Sequence, residues 1–221
     1  MQAPPTPFAL ASGGEGRWTG TPGRLAVVCV NGATPAEVAG TWSASVEWLV
    51  RALAPRLPGL AFLEVRYRLK SWRHFDRCVE DAGAALEAAR AAGVERVALL
   101  GFSMGGAVAV QNAAAPEVGV LVGVNPWLPP QLDLEPLRGR RLAILHAAFD
   151  APLPGIPGVK PSLSRAACER AHELGIEVTR RVVPRAFHAI ALRRRDGRLL
   201  TMPGAATFGA LVGDELERFC T

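Results

Sequence analysis

Residues 94–115 read VERVALLGFSMGGAVAVQNAAA, and this stretch indicates the fold class. Residues 97–100 form a short apolar run typical of a buried strand, and residues 107–115 have the small side chains of a closely packed helix. Between them lies Gly-Phe-Ser-Met-Gly at 101–105. A buried strand, a turn with glycine two residues either side of a serine, and a helix form the context that a Gly-x-Ser-x-Gly motif requires.

The physics of such a turn explains the spacing of its glycines. A serine between the strand and the helix has a strained backbone, and its hydroxyl projects clear of the sheet. Gly101 and Gly105 leave room for neighbouring backbone, and the helix N-terminus directs free N–H groups at the serine. On these residues the chain resembles the α/β-hydrolase superfamily, and 101–106 is similar to the nucleophile elbow of that family.

Composition limits the classes of protein to consider. The chain has 221 residues, 49% of them hydrophobic, which is enough for one globular domain with a sizeable core. The net charge is +5, and the positive charge is concentrated in residues 138–198. This basic half could attract anionic substrates or form a solvated arginine-rich face. No basic run is interleaved with aromatic residues, so we expect no nucleic-acid partner.

The cysteines and the N-terminal residues indicate the compartment. No cysteine lies in a C-x-x-C pair and no histidine stands at zinc-ligand spacing, so we expect reduced thiols and no metal site. Residues 1–24 lack a charged start followed by an apolar run, and no apolar stretch is long enough to span a membrane. We therefore expect a cytoplasmic protein without a membrane span.

Strand-like and helix-like segments alternate along the chain. Several of the strands are apolar on both faces, which predicts an α/β fold with a mostly parallel sheet covered by helices on both faces. The predicted strands are 25–30, 60–65, 97–100, 118–124, 142–147 and 176–183, and the predicted helices are 42–56, 76–92, 107–115, 164–174 and 208–219. Two short extended pieces around a tight turn at 195–198 are expected before the last helix.

The domain limits follow from this alternation. Residues 1–24 are expected to form an N-terminal arm, and residues 25–221 a compact α/β-hydrolase domain. Measured against the superfamily, the leading strand pair is expected to be missing or much reduced. The short gap between the strands at 118–124 and 142–147 leaves little or no room for a lid.

The resemblance implies a catalytic triad in the chain order nucleophile, acid, base. A serine hydroxyl is a poor nucleophile at neutral pH, so it needs a base, and that base needs an orienting acid. Ser103 is the expected nucleophile. Asp150, in a segment similar to the His-Gly-x-x-Asp of the family with Ala147 in place of glycine, is the expected acid. Asp133 is the alternative acid, since some members place theirs after the preceding strand.

His188 is the expected base. It follows the last predicted strand, where the family carries its histidine in a loop before the final helix. His74 precedes the nucleophile, His172 lies within a helix, and His146 at a strand end is expected to be a packed or hydrogen-bonded neighbour.

Acyl transfer also needs donors for the developing oxyanion. The resemblance assigns one to the backbone N–H of Met104, which follows the nucleophile. Asn31-Gly32-Ala33 is similar to the His-Gly-x loop of the family with Asn31 in place of histidine, which makes Ala33 the second donor and Gly32 a substrate contact. Trp127, leaving the strand at 118–124, is the aromatic residue expected to form a pocket wall.

The resemblance implies a serine hydrolase of carboxylic esters or thioesters of a small substrate, acting through an acyl-enzyme and without a cofactor. A non-catalytic binding protein on the same fold, or a lyase or acyltransferase using the same triad, is the alternative. Arg66, Arg68 and Arg73 follow a predicted strand and could contact an anionic group or be exposed. The sequence leaves monomer and homodimer equally open.

Overall fold

The computed structural model describes residues 5–34, 36–151 and 158–221. The strands are β1 Pro7–Ala9, β2 Glu15–Thr19, β3 Leu25–Val30, β4 Ala61–Arg66, β5 Arg96–Phe102, β6 Val118–Val124, β7 Arg141–Ala147, β8 Glu177–Val183, β9 Ala191–Arg193 and β10 Leu199–Thr201. The first eight form one sheet in the order β1-β2-β4-β3-β5-β6-β7-β8, and β9 and β10 form a separate hairpin. All pairs from β4 to β8 are parallel, which confirms the predicted sheet.

Helices cover both faces of this sheet. They are α1 Ala44–Leu53, α2 Phe75–Ala91, α3 Gly105–Asn112, α4 Pro161–Glu173 and α5 Ala205–Cys220. Helices α2, α3 and α4 pack with one face of the sheet, and α1 and α5 pack with the other. Val28 belongs to the first core and its neighbour Cys29 to the second, and both are fully buried. Burial on both faces explains why the central strands are continuously apolar in sequence.

The helices differ from their predicted positions by one to three residues at their ends, and α4 and α5 each begin three residues early. Helix α1 begins at Ala44 because the Ser43 hydroxyl caps it, accepting a hydrogen bond from the Val46 N–H at 3.3 Å, and it ends at Leu53. Helix α3 begins at Gly105 rather than at 107 and ends at Asn112. Its first two residues are glycines, which sequence patterns read as turn residues, whereas here they allow close packing around the serine turn.

The expected N-terminal arm is in fact part of the sheet in its described residues. Strand β2 pairs antiparallel with β4, and β1 pairs antiparallel with β2. The leading strand pair is therefore present, although β1 has only three residues. The composition of residues 1–24, rich in proline and glycine, hides two strands this short, and a domain boundary at residue 24 would cut through the sheet.

A buried ionic cluster links β2 to β4 and to α1. The Arg17 guanidinium donates to both oxygens of Glu64 on β4 at 2.9 and 2.7 Å, and to Glu47 on α1 at 2.8 Å. Arg17 and Glu64 are both buried. Burial raises the pKa of Glu64, and the hydrogen bonds from Arg17 counteract this effect.

The carboxyl ends of the parallel strands meet at one edge of the sheet. The connection between β6 and β7, residues 125–140, contains only a short 3-10 turn at Glu135–Leu137. No lid is inserted in these residues, as expected, so this edge is not covered from that side. Among the described residues, no helix is long and apolar enough to cross a membrane.

Removing the Arg17 guanidinium should destabilise the fold. We expect Arg17→Met to lower the free energy of unfolding by about 3 kcal/mol, because the Glu64 carboxylate remains buried without its partner. Chemical denaturation measures the change. Arg24→Met, which breaks an exposed ion pair with Glu95, is the matched control and should leave the midpoint unchanged. Equal midpoints for both variants would contradict a structural role for the buried cluster.

Candidate active site

Ser103 sits at the turn between β5 and α3 with its backbone in the left-handed region, at φ 56°. Its N–H donates to the Val124 carbonyl at 3.1 Å, and its carbonyl accepts from Gly106 at 2.9 Å and Trp127 at 2.8 Å. A positive φ costs a non-glycine residue about 1–3 kcal/mol and persists only where the surroundings over-determine it. These three hydrogen bonds hold the strained residue in place.

The glycines of the motif are required by close backbone approach. A Cβ on Gly101 would lie 2.6 Å from the Gly105 carbonyl oxygen, and one on Gly105 would overlap the Val30 carbonyl. A Cβ on Gly106 would lie 2.5 Å from Pro126. The elbow is therefore packed between the end of β3 and the loop after β6, which fixes the direction of the Ser103 side chain.

The structure brings together the three residues expected to form the triad. His188 Nε2 lies 3.0 Å from Ser103 Oγ, and His188 Nδ1 lies 2.8 Å from Asp150 Oδ2. All three side chains are buried. An ionised carboxylate can only accept hydrogen bonds, so His188 Nδ1 carries the ring proton and donates a hydrogen bond to Asp150. His188 Nε2 is then free to accept a hydrogen bond from the serine hydroxyl. This tautomer is the one that a general base requires.

Asp150 is held ionised by its neighbours. Its Oδ1 accepts from the Val159 N–H at 2.8 Å, and its Oδ2 lies 3.2 Å from His146 Nε2. Burial by itself raises the pKa of Asp150, but the hydrogen bonds from His146 and His188 outweigh it, so the net pKa lies below the ordinary value. Asp150 therefore remains a carboxylate at neutral pH and can stabilise a positive charge on His188.

His146 is a second hydrogen-bond partner of Asp150. Its Nε2 also lies 2.9 Å from the Val159 carbonyl, which can only accept, so this nitrogen carries a proton shared between that oxygen and Asp150. From the sequence, His146 is expected to be a packed or hydrogen-bonded neighbour, and its partners are Asp150 and the Val159 carbonyl. Val159 contacts the side chains of His146 and Asp150 through its backbone. A backbone contact does not depend on the residue type, so no sequence pattern could have indicated the role of Val159.

Asn125 is a buried residue of the site that the sequence analysis did not single out. Its backbone has φ 46°, and its amide nitrogen donates to the His188 carbonyl at 2.7 Å. Its amide oxygen accepts from the Ala147 N–H at 2.7 Å. Asn125 thus ties the end of β6 to the end of β7 and to the loop that carries His188. An Asn-Pro step at the end of a strand was the available signal, since asparagine tolerates positive φ.

A cavity of about 370 Å³ opens beside Ser103 and His188. Its lining is mostly apolar or hydroxylic, with two basic side chains and no carboxylate among the described residues. Residues from several loops and strand ends form its walls, among them Gly32, Ala33, Thr41, Trp42, Lys70, Phe102 and Arg193. Trp42 contributes an aromatic ring to the wall of the cavity. The first residues of α1 and strand β9 form the rest of this wall.

The expectation that Trp127 forms a pocket wall is wrong. Trp127 does not line the cavity, and its ring stacks on Trp72 at 5.9 Å between centroids, against the core beneath α2 and α3. The physical reason is that Pro126 and the Trp127 backbone lie close to Gly106 at the start of α3, and the indole is packed against the apolar core on that face of the sheet. Trp127 instead contributes its backbone N–H, which donates to the Ser103 carbonyl.

The two expected oxyanion donors are Met104, which follows the serine in the chain, and Ala33, in the loop after β3. A Cβ on Gly32 would lie 3.0 Å from Ser103 Cβ and 3.4 Å from Oγ, so this backbone touches the nucleophile, and Ala33 follows it in the cavity wall. Within the described parts of the chain, the N–H groups of Met104 and Ala33 donate to no protein acceptor. Ala33 lines the cavity, whereas Met104 is fully buried.

The remaining candidates lie elsewhere. Asp133 is exposed and caps a turn, accepting from the Glu135 N–H at 2.9 Å. His74 pairs with Glu37 at 3.1 Å, and His172 is exposed on α4. None of them replaces Asp150 or His188. In residues 5–34, 36–151 and 158–221, no group of three or more histidine, cysteine or carboxylate side chains could hold a metal ion.

Of the three arginines that could contact an anionic group, two have carboxylate partners, and Arg73 is exposed and forms no ion pair with the described residues. Arg66 pairs with Glu15, and Arg68 pairs with Glu80 at 2.6 Å and Asp81 at 2.8 Å. The basic side chain of this loop that does line the cavity is Lys70, which the sequence analysis passed over.

A parallel sheet with a strained serine at a strand–helix turn, hydrogen-bonded to histidine and aspartate, defines an α/β-hydrolase-type protein. The sequence profile described as "Alpha/beta hydrolase family" matches residues 27–216, so the chain belongs to that family. Comparison with curated protein sequences gives no significant match.

Solved structures share this architecture. An alpha-beta serine hydrolase homologue from Coxiella burnetii has a TM-score of 0.68 at 19% identity, over 98% of each chain. The esterase PF2001 of Pyrococcus furiosus has a TM-score of 0.68 at 14% identity, over 97% of this chain and 90% of that one. A Xanthomonas campestris serine hydrolase described as lacking a lid has a TM-score of 0.61 at 19% identity, over 85% and 87%. At these identities the likeness shows the fold.

The Asn125 amide should matter for both stability and the position of His188. We expect Asn125→Asp to lower the free energy of unfolding by about 1–3 kcal/mol, because the donor to the His188 carbonyl is lost. The proton on His188 Nδ1, observed by NMR at low field, should shift as the loop moves. Asn112→Asp is the control: Asn112 donates to the Val79 and Val108 carbonyls on α2 and α3, so it should cost stability without moving that signal. An unshifted signal in the Asn125 variant would contradict the assigned role.

Proposed function

We propose that this chain is a serine hydrolase that cleaves carboxylic ester or thioester bonds of a small substrate through an acyl-enzyme. The observation that carries the proposal is the continuous hydrogen-bonded path from Ser103 Oγ through the His188 ring to Asp150. Membership of the α/β-hydrolase family supports a hydrolase, and the similarity to a fold neighbour named an esterase favours ester substrates.

In the first half-reaction, Ser103 Oγ attacks the carbonyl carbon while His188 Nε2 takes the hydroxyl proton. Asp150 holds the imidazole in the required tautomer and stabilises the imidazolium that forms. The tetrahedral oxyanion accepts hydrogen bonds from the N–H groups of Met104 and Ala33, each of which is worth about 3–4 kcal/mol in such sites. His188 then gives its proton to the leaving alcohol or thiol, which departs and leaves the acyl group on Ser103.

In the second half-reaction, water replaces the alcohol or thiol. His188 takes a proton from this water, whose oxygen attacks the acyl carbon, and the same donors bind the second oxyanion. Collapse returns the proton to Ser103 Oγ and releases the carboxylic acid. The proposed chemistry uses protein groups and water alone, so no cofactor enters it.

A fluorophosphonate probe tests the nucleophile, since it attaches to an activated serine oxygen. We expect one probe per wild-type chain, at Ser103. Ser103→Ala should abolish labelling and reduce 4-nitrophenyl acetate hydrolysis by roughly 10⁴- to 10⁶-fold. Ser162→Ala, an exposed serine on α4, is the control and should behave as wild type.

Labelling of the Ser103→Ala protein would refute the assignment. A wild type inert towards short and long acyl esters and thioesters would instead favour a binding protein. Acyl delivery to an added alcohol in preference to water would favour an acyltransferase.

Crowding the nucleophile from the β3 side should slow the reaction. A methyl group on Gly32 would press on Ser103 Cβ and shift the loop that carries the Ala33 N–H. We expect Gly32→Ala to reduce kcat/KM for 4-nitrophenyl acetate by about 10²-fold, since small misplacements near the reacting atoms cost this much. Gly23→Ala, where a Cβ meets nothing within 4 Å, should leave kcat/KM unchanged. Unaltered activity of the Gly32 variant would remove this loop from the site.

A further inference from the structure

One basic side chain that lines the cavity beside Ser103 has no carboxylate partner among the described residues. Lys70 follows β4, and among the described residues the one hydrogen-bond partner of its Nζ is the Thr41 hydroxyl, at 3.4 Å. Across residues 5–34, 36–151 and 158–221, no carboxylate lies within ion-pair distance of Lys70, and the other residues of the chain include no aspartate or glutamate. The ammonium group is thus uncompensated by the protein.

The other basic side chain of the cavity differs in this respect. Arg193 pairs with Glu47 at 2.7 Å. It belongs also to an adjoining pocket, which shares Thr41 and Trp42 with the cavity and whose described lining contains Glu47 as its carboxylate. Arg17, Arg51 and Arg193 all bind this one carboxylate. Arg193 thus has a carboxylate partner, which it shares with Arg17 and Arg51, whereas Lys70 has none among the described residues.

Lys70 is half-buried, and this partial loss of contact with water is unfavourable for an ammonium without a partner. The pKa of Lys70 is lowered by burial, with no nearby charge acting in the opposite direction. Removing an ammonium from water without a partner is unfavourable, so a partner supplied by a ligand would recover that cost on binding. The ammonium lines the same cavity as the nucleophile, so such a ligand would be positioned for reaction.

Resting on the function proposed above, we propose that the natural substrate is a small ester or thioester that carries a carboxylate, and that Lys70 binds this carboxylate. A carboxylate rather than a phosphate fits because one ammonium is available, whereas a phosphate group brings nearly two negative charges. The walls beside it, including Trp42 and Phe102, accommodate the apolar remainder, and 370 Å³ limits it to a small molecule.

Two substrate pairs test the proposal, each matched in shape and different in charge. One is 4-acetoxybenzoate with methyl 4-acetoxybenzoate, which places the charge on the leaving group. The other is monophenyl adipate with phenyl hexanoate, which places the charge on the acyl group. The quantity compared is the ratio of kcat/KM for the charged and neutral member of each pair, so that differences in intrinsic reactivity cancel between variants.

We expect Lys70→Met to reduce this ratio at least tenfold for one pair, which corresponds to about 1.4 kcal/mol. The neutral ester should change less than twofold, which shows that the site is intact. Lys70→Arg should retain most of the ratio. The chain has one other lysine, Lys160, which is exposed, so Lys160→Met makes the same change in net charge and should leave both ratios unaltered.

Equal losses on charged and neutral esters, or no change in either ratio, would overturn the role of Lys70 while leaving the proposed hydrolase intact. A wild type that cleaves none of the four esters would overturn the proposed function itself. Calorimetry on the Ser103→Ala protein gives a readout independent of catalysis. There, the charged ester of the pair that shows the effect should bind more tightly than its neutral partner, and Lys70→Met in the same background should remove the difference.

Discussion

The left-handed backbone of Ser103 is the constraint on which the site depends. It is maintained by hydrogen bonds to β6 and to the loop that follows, and by two backbone approaches at Gly105 and Gly106 that leave no space for a methyl group. If this turn relaxed, the hydroxyl would lose its direction towards His188. The apolar sheet therefore provides the rigidity that keeps one unfavourable residue in place.

A second layer of residues places the base and the acid. Asn125 binds the backbone at His188 and Ala147, and His146 with Val159 fixes Asp150. Each of these contacts is buried, where an unmade hydrogen bond is costly, so the constellation is held with little freedom before any substrate arrives.

Much of this could be predicted from the sequence, for physical reasons. The elbow needs glycines at fixed offsets, and chain order places Asp150 and His188 after particular strands, so local patterns carry that information. The choice of Trp127 as the pocket wall and the omission of Lys70 have a different origin. Which side of a loop faces the cavity is decided by packing between Pro126 and Gly106, and by loops that lie far apart in the chain. The two N-terminal strands were expected to be missing or much reduced, because segments of three to five residues give too little pattern to identify.

The carboxylate of Glu47 joins segments from opposite ends of the chain. Arg17 comes from β2, and Arg193 from the hairpin that follows His188, and both bind this one side chain on α1. Helix α1 in turn supplies part of the cavity wall. Local unfolding of β2 would therefore remove a partner of Glu47 and destabilise the contact with β9, and the reverse also holds. We expect amide hydrogens in β2, α1 and β9 to exchange with solvent as one cooperative unit.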